Sequence, residues 1–342
     1  MAGHTNWTSA LTPKNGDTSR HASIQMGRSS LNPTESNAML DHLLNGVLPV
    51  FGVGAVGYAL GLRGTFDFNM AMALNKFVMF IAMPALSFQL LANAPLETFN
   101  LLMLAGYFVT EVVMYGAAFL IARLLFKTDV MEAALLGLVA ALANHVLFVL
   151  PIAITLFGEA AAVPIVAIIS MDGILLFSGS LILMDVLASK DASLGHTLGK
   201  IVRNPPLVAM ALGLLVGLLG VSVPTGFDVF VDFLGGTASP VLLFALGVIL
   251  SQKASGSRPM LPVAITSVKL VVHPLLAWAI FVGVLQLTPE VRNPAMMVAA
   301  APCGVMGFML ALNYGVRVDA IARAILYSSI GSLVTVTLAA AL

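Results

Sequence analysis

Apolar residues recur along this chain in runs long enough to cross a bilayer, which takes ~20 residues as helix. Ten such runs follow one another: 43–62, 71–91, 101–124, 131–157, 161–187, 206–223, 233–250, 261–285, 294–314 and 321–342. The separators are short, polar and rich in Gly or Pro, as turns between helices are. Only residues 1–38 depart from the pattern. That stretch is rich in Ser, Thr, Asn and Gly, has no apolar run and lacks the core of a signal peptide. It reads as a disordered tail. Met39, just before the first run, offers an alternative start.

Composition agrees with the pattern. The chain is 59% hydrophobic and 9% charged, with a mean hydropathy of +1.00, whereas soluble domains carry about 25% charged residues. A polytopic all-α membrane protein is the fold class. Nucleic acid is an unsuitable partner, because no Lys/Arg cluster exists to meet phosphates. The single cysteine, Cys303, permits no internal disulfide and no thiolate metal cluster, and the six His form no HExxH. No metal and no cofactor is expected, and without a Walker motif the chain is no primary pump.

Charge then orients the spans. Of the 16 Lys and Arg, eleven fall on the side reached after the first run, from Arg63 and Lys76 to Arg317 and Arg323. The opposite connections hold only Arg292. The positive-inside rule makes the richer side the cytoplasm. Both termini then face outward from a multi-pass protein of the cell's inner (plasma) membrane.

Ten spans divide into five and five, residues 39–187 and 205–342, around the longest inner connection, 188–204. Five is odd, so the second half enters the membrane inverted. The halves correspond in kind. Span three buries an acid, Glu111, and span eight a base, Lys269. Span four is interrupted at Asn144–Pro151, and span nine at Pro302–Gly307. Inverted repeats with breaks at corresponding positions are the pattern of secondary transporters, with the site where the repeats meet.

The ordered motifs LPVFGVGAVGYALGLRG, LNKFVMFIAMPALSFQLLA, NHVLFVLP, VRNPPLVAMALGLLVG, SPVLLFALGVIL and APCGVMGFMLALNYG resemble the auxin efflux carrier family, which includes plant PIN proteins and bacterial malonate-transporter-like members. The resemblance runs from Met39 to Leu342. It implies ten helices in two inverted five-helix repeats. Helices one, two, six and seven are the scaffold, and the others form a moving domain. It also implies that broken helices four and nine cross at Pro151 and Pro302, and that small organic anions such as malonate or malate bind beside the crossing. Where relatives often read Asn-Thr-Gly this chain has Asn144, His145 and Val146, and Met306 stands where relatives often carry Asn.

Several residues follow as candidates. Asn144, His145 and Pro151 in span four, and Pro302, Cys303, Gly304, Met306 and Gly307 in span nine, are expected at the substrate site, with helix packing as the alternative for the glycines. Glu111 and Lys269 are expected to pair near the pseudo-twofold axis, either as a structural ion pair or as a proton carrier and substrate counter-ion. Asp172 in span five is either a helix contact or a coupling group. His145 is the better proton candidate and His273 the more structural histidine. The function expected is a secondary-active or facilitative carrier for small carboxylates, with protons or sodium as coupling ion and a homodimer through the scaffold helices. A bile-acid-sodium-symporter-like carrier and an intramembrane hydrolase are the alternatives. No G-x-S-x-G motif supports the hydrolase.

Overall fold

The computed structural model describes residues 51–189, 199, 202–252 and 258–340. The expected tail at 1–38, the start of span one, most of the long inner connection and the last two residues lie outside that set. Among the described residues the chain is helical, with no strand. In chain order the helices are α1 (Phe51–Leu62), α2 (Phe68–Ala92), α3 (Leu101–Leu125), α4 (Val130–Ala141), α5 (Leu150–Phe157), α6 (Glu159–Ala188), α7 (Pro205–Leu219), α8 (Thr225–Ser251), α9 (Met260–Val284), α10 (Pro289–Ala300), α11 (Met306–Asn313) and α12 (Asp319–Ala340). Six of them, α2, α3, α6, α8, α9 and α12, are long and apolar enough to cross a membrane unaided. The chain is a multi-pass membrane protein.

Local rules set the ends. Asp67, Asn100 and Asp129 cap α2, α3 and α4, each accepting a backbone N–H three residues on. Inside the long helices lie wide π-turns, and prolines follow three of them. Pro84, Pro151 and Pro274 each come in the first turn after a π-turn, at Val78–Ala82, His145–Val149 and Val268–Val272. A proline there forfeits only an N–H that the changed register leaves without its usual acceptor. The expected interruption at Asn144–Pro151 thus holds at its first residue, while the implied crossing at Pro151 is corrected. The chain leaves helical geometry earlier, over residues 142–144 between α4 and the π-turn that leads into α5. The matching break in span nine covers residues 301–305.

Glycines decide how closely the remaining helices approach. In α7, a Cβ on Gly213 would lie 2.6 Å from the Phe88 carbonyl oxygen of α2, and one on Gly217 would lie 2.6 Å from that of Leu91. In α8, a Cβ on Gly235 would lie 2.8 Å from Leu86 Cα. The same device joins α1 to α8, where Gly57 abuts the Phe244 backbone and Gly247 that of Gly54 and Tyr58. In hydrocarbon, where apolar burial gives little drive for association, such close backbone approach supplies the dispersion energy and the specificity. The helices α1, α2, α7 and α8 are thus knitted by backbone contact.

Gly213→Val should therefore loosen α7 from α2. We expect a destabilisation of about 1–3 kcal/mol, the usual cost of overpacking, read as a lower thermal unfolding midpoint in detergent. An unchanged midpoint would show that this contact is not tight.

Candidate functional site

The two breaks meet. Ala143 and Cys303 form an antiparallel bridge. The Asn144 N–H donates to the Pro302 carbonyl at 3.1 Å, and the Gly304 N–H to the Leu142 carbonyl at 3.0 Å. A helix that stops inside hydrocarbon leaves backbone groups that water cannot reach. Here each break satisfies the other. The bridge needs a glycine: a Cβ on Gly304 would stand 3.0 Å from Leu142 Cβ and 3.2 Å from the Ala143 oxygen. Gly307 serves a different contact, facing the Val139 side chain and the Leu135 carbonyl on α4, so it is a packing residue between α11 and α4.

Side chains finish the broken ends. The last carbonyl of α4, Ala141, accepts from Lys269 Nζ at 2.9 Å, and the last carbonyl of α10, Ala300, accepts from Thr335 Oγ1 at 2.7 Å. The Cys303 N–H donates to Ser328 Oγ at 3.1 Å. Lys269 is thus a C-terminal cap, an ammonium at the negative end of a helix dipole.

That position corrects the expected pairing with Glu111. Among the described residues no ion pair joins Glu111 and Lys269. Lys269 is wholly buried in the π-turn Val268–Val272 and lies 3.0 Å from His273 Nδ1, whose Nε2 lies 3.2 Å from Thr110 Oγ1. Its charge is drawn to a backbone need that has no signature in sequence. Glu111, in α3, is also wholly buried. Asp172 opens a second π-turn, Asp172–Phe177, and its Oδ2 lies 2.8 Å from His145 Nε2. Neither Glu111 oxygen has a hydrogen-bond donor among the described residues, and the His145–Asp172 contact is an ion-pair distance without hydrogen-bond geometry. One buried polar cluster therefore draws on α3, α6, α9 and the crossing.

A cavity abuts the crossing on the side of α2, α6 and α7. Asn144, His145, Asp172, Gly304 and Met306 line it, together with Ser87, Ser170, Ser239 and an apolar wall from Leu86, Leu90 and Met210. It has about 70 Å³ for the centres of water-sized molecules, room for a few waters or one small anion. Of the predicted residues, Pro302 and Cys303 stand in the bridge. Glu111 and Lys269 lie in the polar cluster behind it, and Pro151 lies seven residues past Asn144. The three serines were not anticipated, since serine is common in membrane helices and nothing in their spacing singles them out. Among the described residues no three His, Cys, Asp or Glu gather as metal ligands. A second, mainly apolar cavity lies between α1, α8 and α12, with Arg323 at its wall.

A family model described as membrane transport protein matches residues 42–340. A protein of Rhizobium meliloti (strain 1021) named "Putative malonate transporter" is 30% identical over 301 residues, 85% of this chain and 92% of its own length. An "Uncharacterized transporter" of Methanothermobacter thermautotrophicus is 27% identical, over 85% of this chain and 95% of its own. The Escherichia coli (strain K12) "Uncharacterized transporter YfdV" is 26% identical, over 88% and 97%.

The capping role of Lys269 has a direct consequence. Lys269→Met strands the Ala141 carbonyl without a donor, which should cost about 1–3 kcal/mol. Adding Glu111→Gln should not restore the lost thermal stability, because no direct pair exists to be relieved. Full recovery in the double variant would contradict this geometry.

Proposed function

The chain belongs to the membrane transport protein family, the auxin efflux carrier group that its sequence resembles, and on that premise we propose that it carries small carboxylates such as malonate or malate by alternating access. The observation that carries this reading is the cavity set against two helix starts that no side chain caps. Neither Asn144, before the π-turn leading into α5, nor Val305, before α11, makes a side-chain capping bond. Both line the cavity. Free N–H groups and the positive ends of two helix dipoles are what a carboxylate seeks. The Asn144 amide and the serines supply further polar contacts, and the apolar wall suits a short carbon chain. The name of the Rhizobium relative points to the same class of anion.

Ten helices in two inverted five-helix repeats, residues 39–187 and 205–342, are the architecture we assign. The lengths support it: α3 and α9 both have 25 residues, and α4 and α10 both have 12. An antiparallel bridge between equivalent breaks is what a twofold axis in the membrane plane would produce. In this reading the glycine-knitted helices α1, α2, α7 and α8 stand still. The crossing and the helices around it move, so that the anion faces first one cavity and then the other. The charge asymmetry puts both termini outside the cytoplasm.

The test is uptake of labelled malonate, malate and short monocarboxylates into proteoliposomes. Asn144→Ala should lower uptake of the transported anion at least about tenfold, equivalent to ~1.4 kcal/mol of binding. Met306→Trp, which fills the cavity, should abolish it. Met306 is the residue to enlarge and not Gly304, because a side chain on Gly304 would break the bridge itself. Uptake that survives both changes would move the site away from the crossing, toward the cavity beside Arg323.

A further inference from the structure

One cation of the membrane helices has no task at the crossing. Arg323 lies one turn inside α12, counted from Asp319 at the start of that helix. It is half-buried. Among the described residues it makes no hydrogen bond and no ion pair. Asp319 stands at the i, i+4 spacing that commonly pairs on a helix, and the pair does not form. A guanidinium is costly in hydrocarbon unless it meets water or an anion. A charge held at that cost inside a transporter marks a path for charged cargo.

Arg323 lines two cavities at once. The first is polar and has about 590 Å³ for the centres of water-sized molecules. Its other charged walls are Glu132, Arg258, Arg317 and Asp319, at or just before the starts of α4, α9 and α12. Glu132 is spent on Arg258 at 3.2 Å, and Arg258 also donates to the Lys127 carbonyl at 3.2 Å. With that pair neutral, Arg317 and Arg323 face Asp319 as the remaining acid of the lining, so the cavity keeps a positive excess. The second cavity, of about 400 Å³ by the same measure, is the mainly apolar one between α1, α8 and α12. Leu243, Leu246 and Leu250 wall it, and Ser329 lies on its α12 side. The residue before Ser329 is Ser328, which holds the crossing through the Cys303 N–H. A polar mouth, an unpaired guanidinium and an apolar passage thus follow one another toward the crossing. In the inverted-repeat architecture assigned above, α1, α8 and α12 are the counterparts of α7, α2 and α6, the helices around the crossing cavity.

We propose that Arg323 is a second carboxylate site, at the inner opening, where the anion docks on its way to or from the crossing. This inference rests on the carrier reading above and adds a station to its path. The occupant is a small mono- or dicarboxylate. A planar guanidinium offers two parallel N–H groups to the two oxygens of one carboxylate. The short carbon chain then lies against the leucines of α8, and a second carboxylate, where the anion has one, stays in the polar cavity. The guanidinium replaces water that the anion must shed before it enters the apolar passage. Asp319 beside it weakens the hold, which suits a site that cargo must leave as readily as it enters.

Equilibrium binding to the full chain in phosphatidylcholine nanodiscs is the test, with labelled malonate, malate and short monocarboxylates as probes. At saturation the wild type should bind two anions per chain. Asn144→Ala should weaken one of them at least about tenfold and leave the other within about twofold. Arg323→Gln should reverse that pattern. Arg323→Lys, which keeps the charge without the fork, should weaken the second site less. In wild type with ¹⁵N-labelled arginine side chains, the ¹³C-carboxylate of the bound anion should couple to a guanidinium nitrogen, a check that needs no variant to fold. Absence of that coupling would overturn the proposal. So would Arg323→Gln that binds two anions as tightly as wild type does. Loss of the second anion on adding anionic phosphatidylglycerol would give the guanidinium to a lipid headgroup and overturn it too. A single anion per chain in the wild type, weakened by Asn144→Ala, would remove this site and leave the carrier reading standing. Binding of none of the probes would remove both.

Discussion

The bridge between Ala143 and Cys303 is what permits two helices to stop in the middle of a bilayer. Backbone N–H and C=O groups in hydrocarbon have no water to turn to, and each one left bare costs several kcal/mol. Two breaks placed against each other exchange hydrogen bonds as short antiparallel strands do. The groups that this exchange cannot reach are taken by Lys269, Thr335 and Ser328. The starts of the second half-helices, at Asn144 and Val305, make no side-chain capping bond, and there the cavity lies. The site is thus the residue of an accounting problem that the rest of the local structure has solved.

This constraint explains why the surrounding chain is divided as it is. The neighbours α6, α9 and α12 supply buried polar contacts to the crossing. Of α1, α2, α7 and α8, α2 also ties to the half-helix after the second break, where Asn75 Nδ2 donates to the Met309 carbonyl at 3.1 Å. These four meet one another through Gly57, Gly213, Gly217, Gly235 and Gly247 at backbone distance. The boundary between the two groups is where both cavities lie, one along α2, α6 and α7 and the other along α1, α8 and α12.

Much of this was legible in the residues, and the failures have physical causes. The hydrophobic runs locate the helices, because a bilayer imposes one length and one composition. Pro302 and Gly304 fall within the second break, whereas Gly307 lies in α11. Of the first, Asn144 lies in the break and Pro151 does not, since a proline after a π-turn sits in a helix without breaking it. Glu111 and Lys269 look like partners because each is a lone charge at the same depth. A sequence cannot show that the Ala141 carbonyl would claim the ammonium. Gly304 and Gly307 differ in kind, one admitting the bridge and the other packing α11 on α4, and only coordinates separate them. The serines on the cavity wall have no pattern to betray them.

The account stands on the carboxylate lying against the half-helix starts at the crossing. Solid-state NMR distance measurement between a ¹³C-carboxylate anion and ¹⁵N-labelled protein in lipid addresses that contact alone. An N–H···O bond of ~2.9 Å places the carboxyl carbon within about 4 Å of the donor nitrogen. We expect strong dipolar coupling from that carbon to backbone nitrogens at His145–Val146 and Val305–Met306. Coupling to the Arg323 guanidinium, with none to those amides, would contradict it.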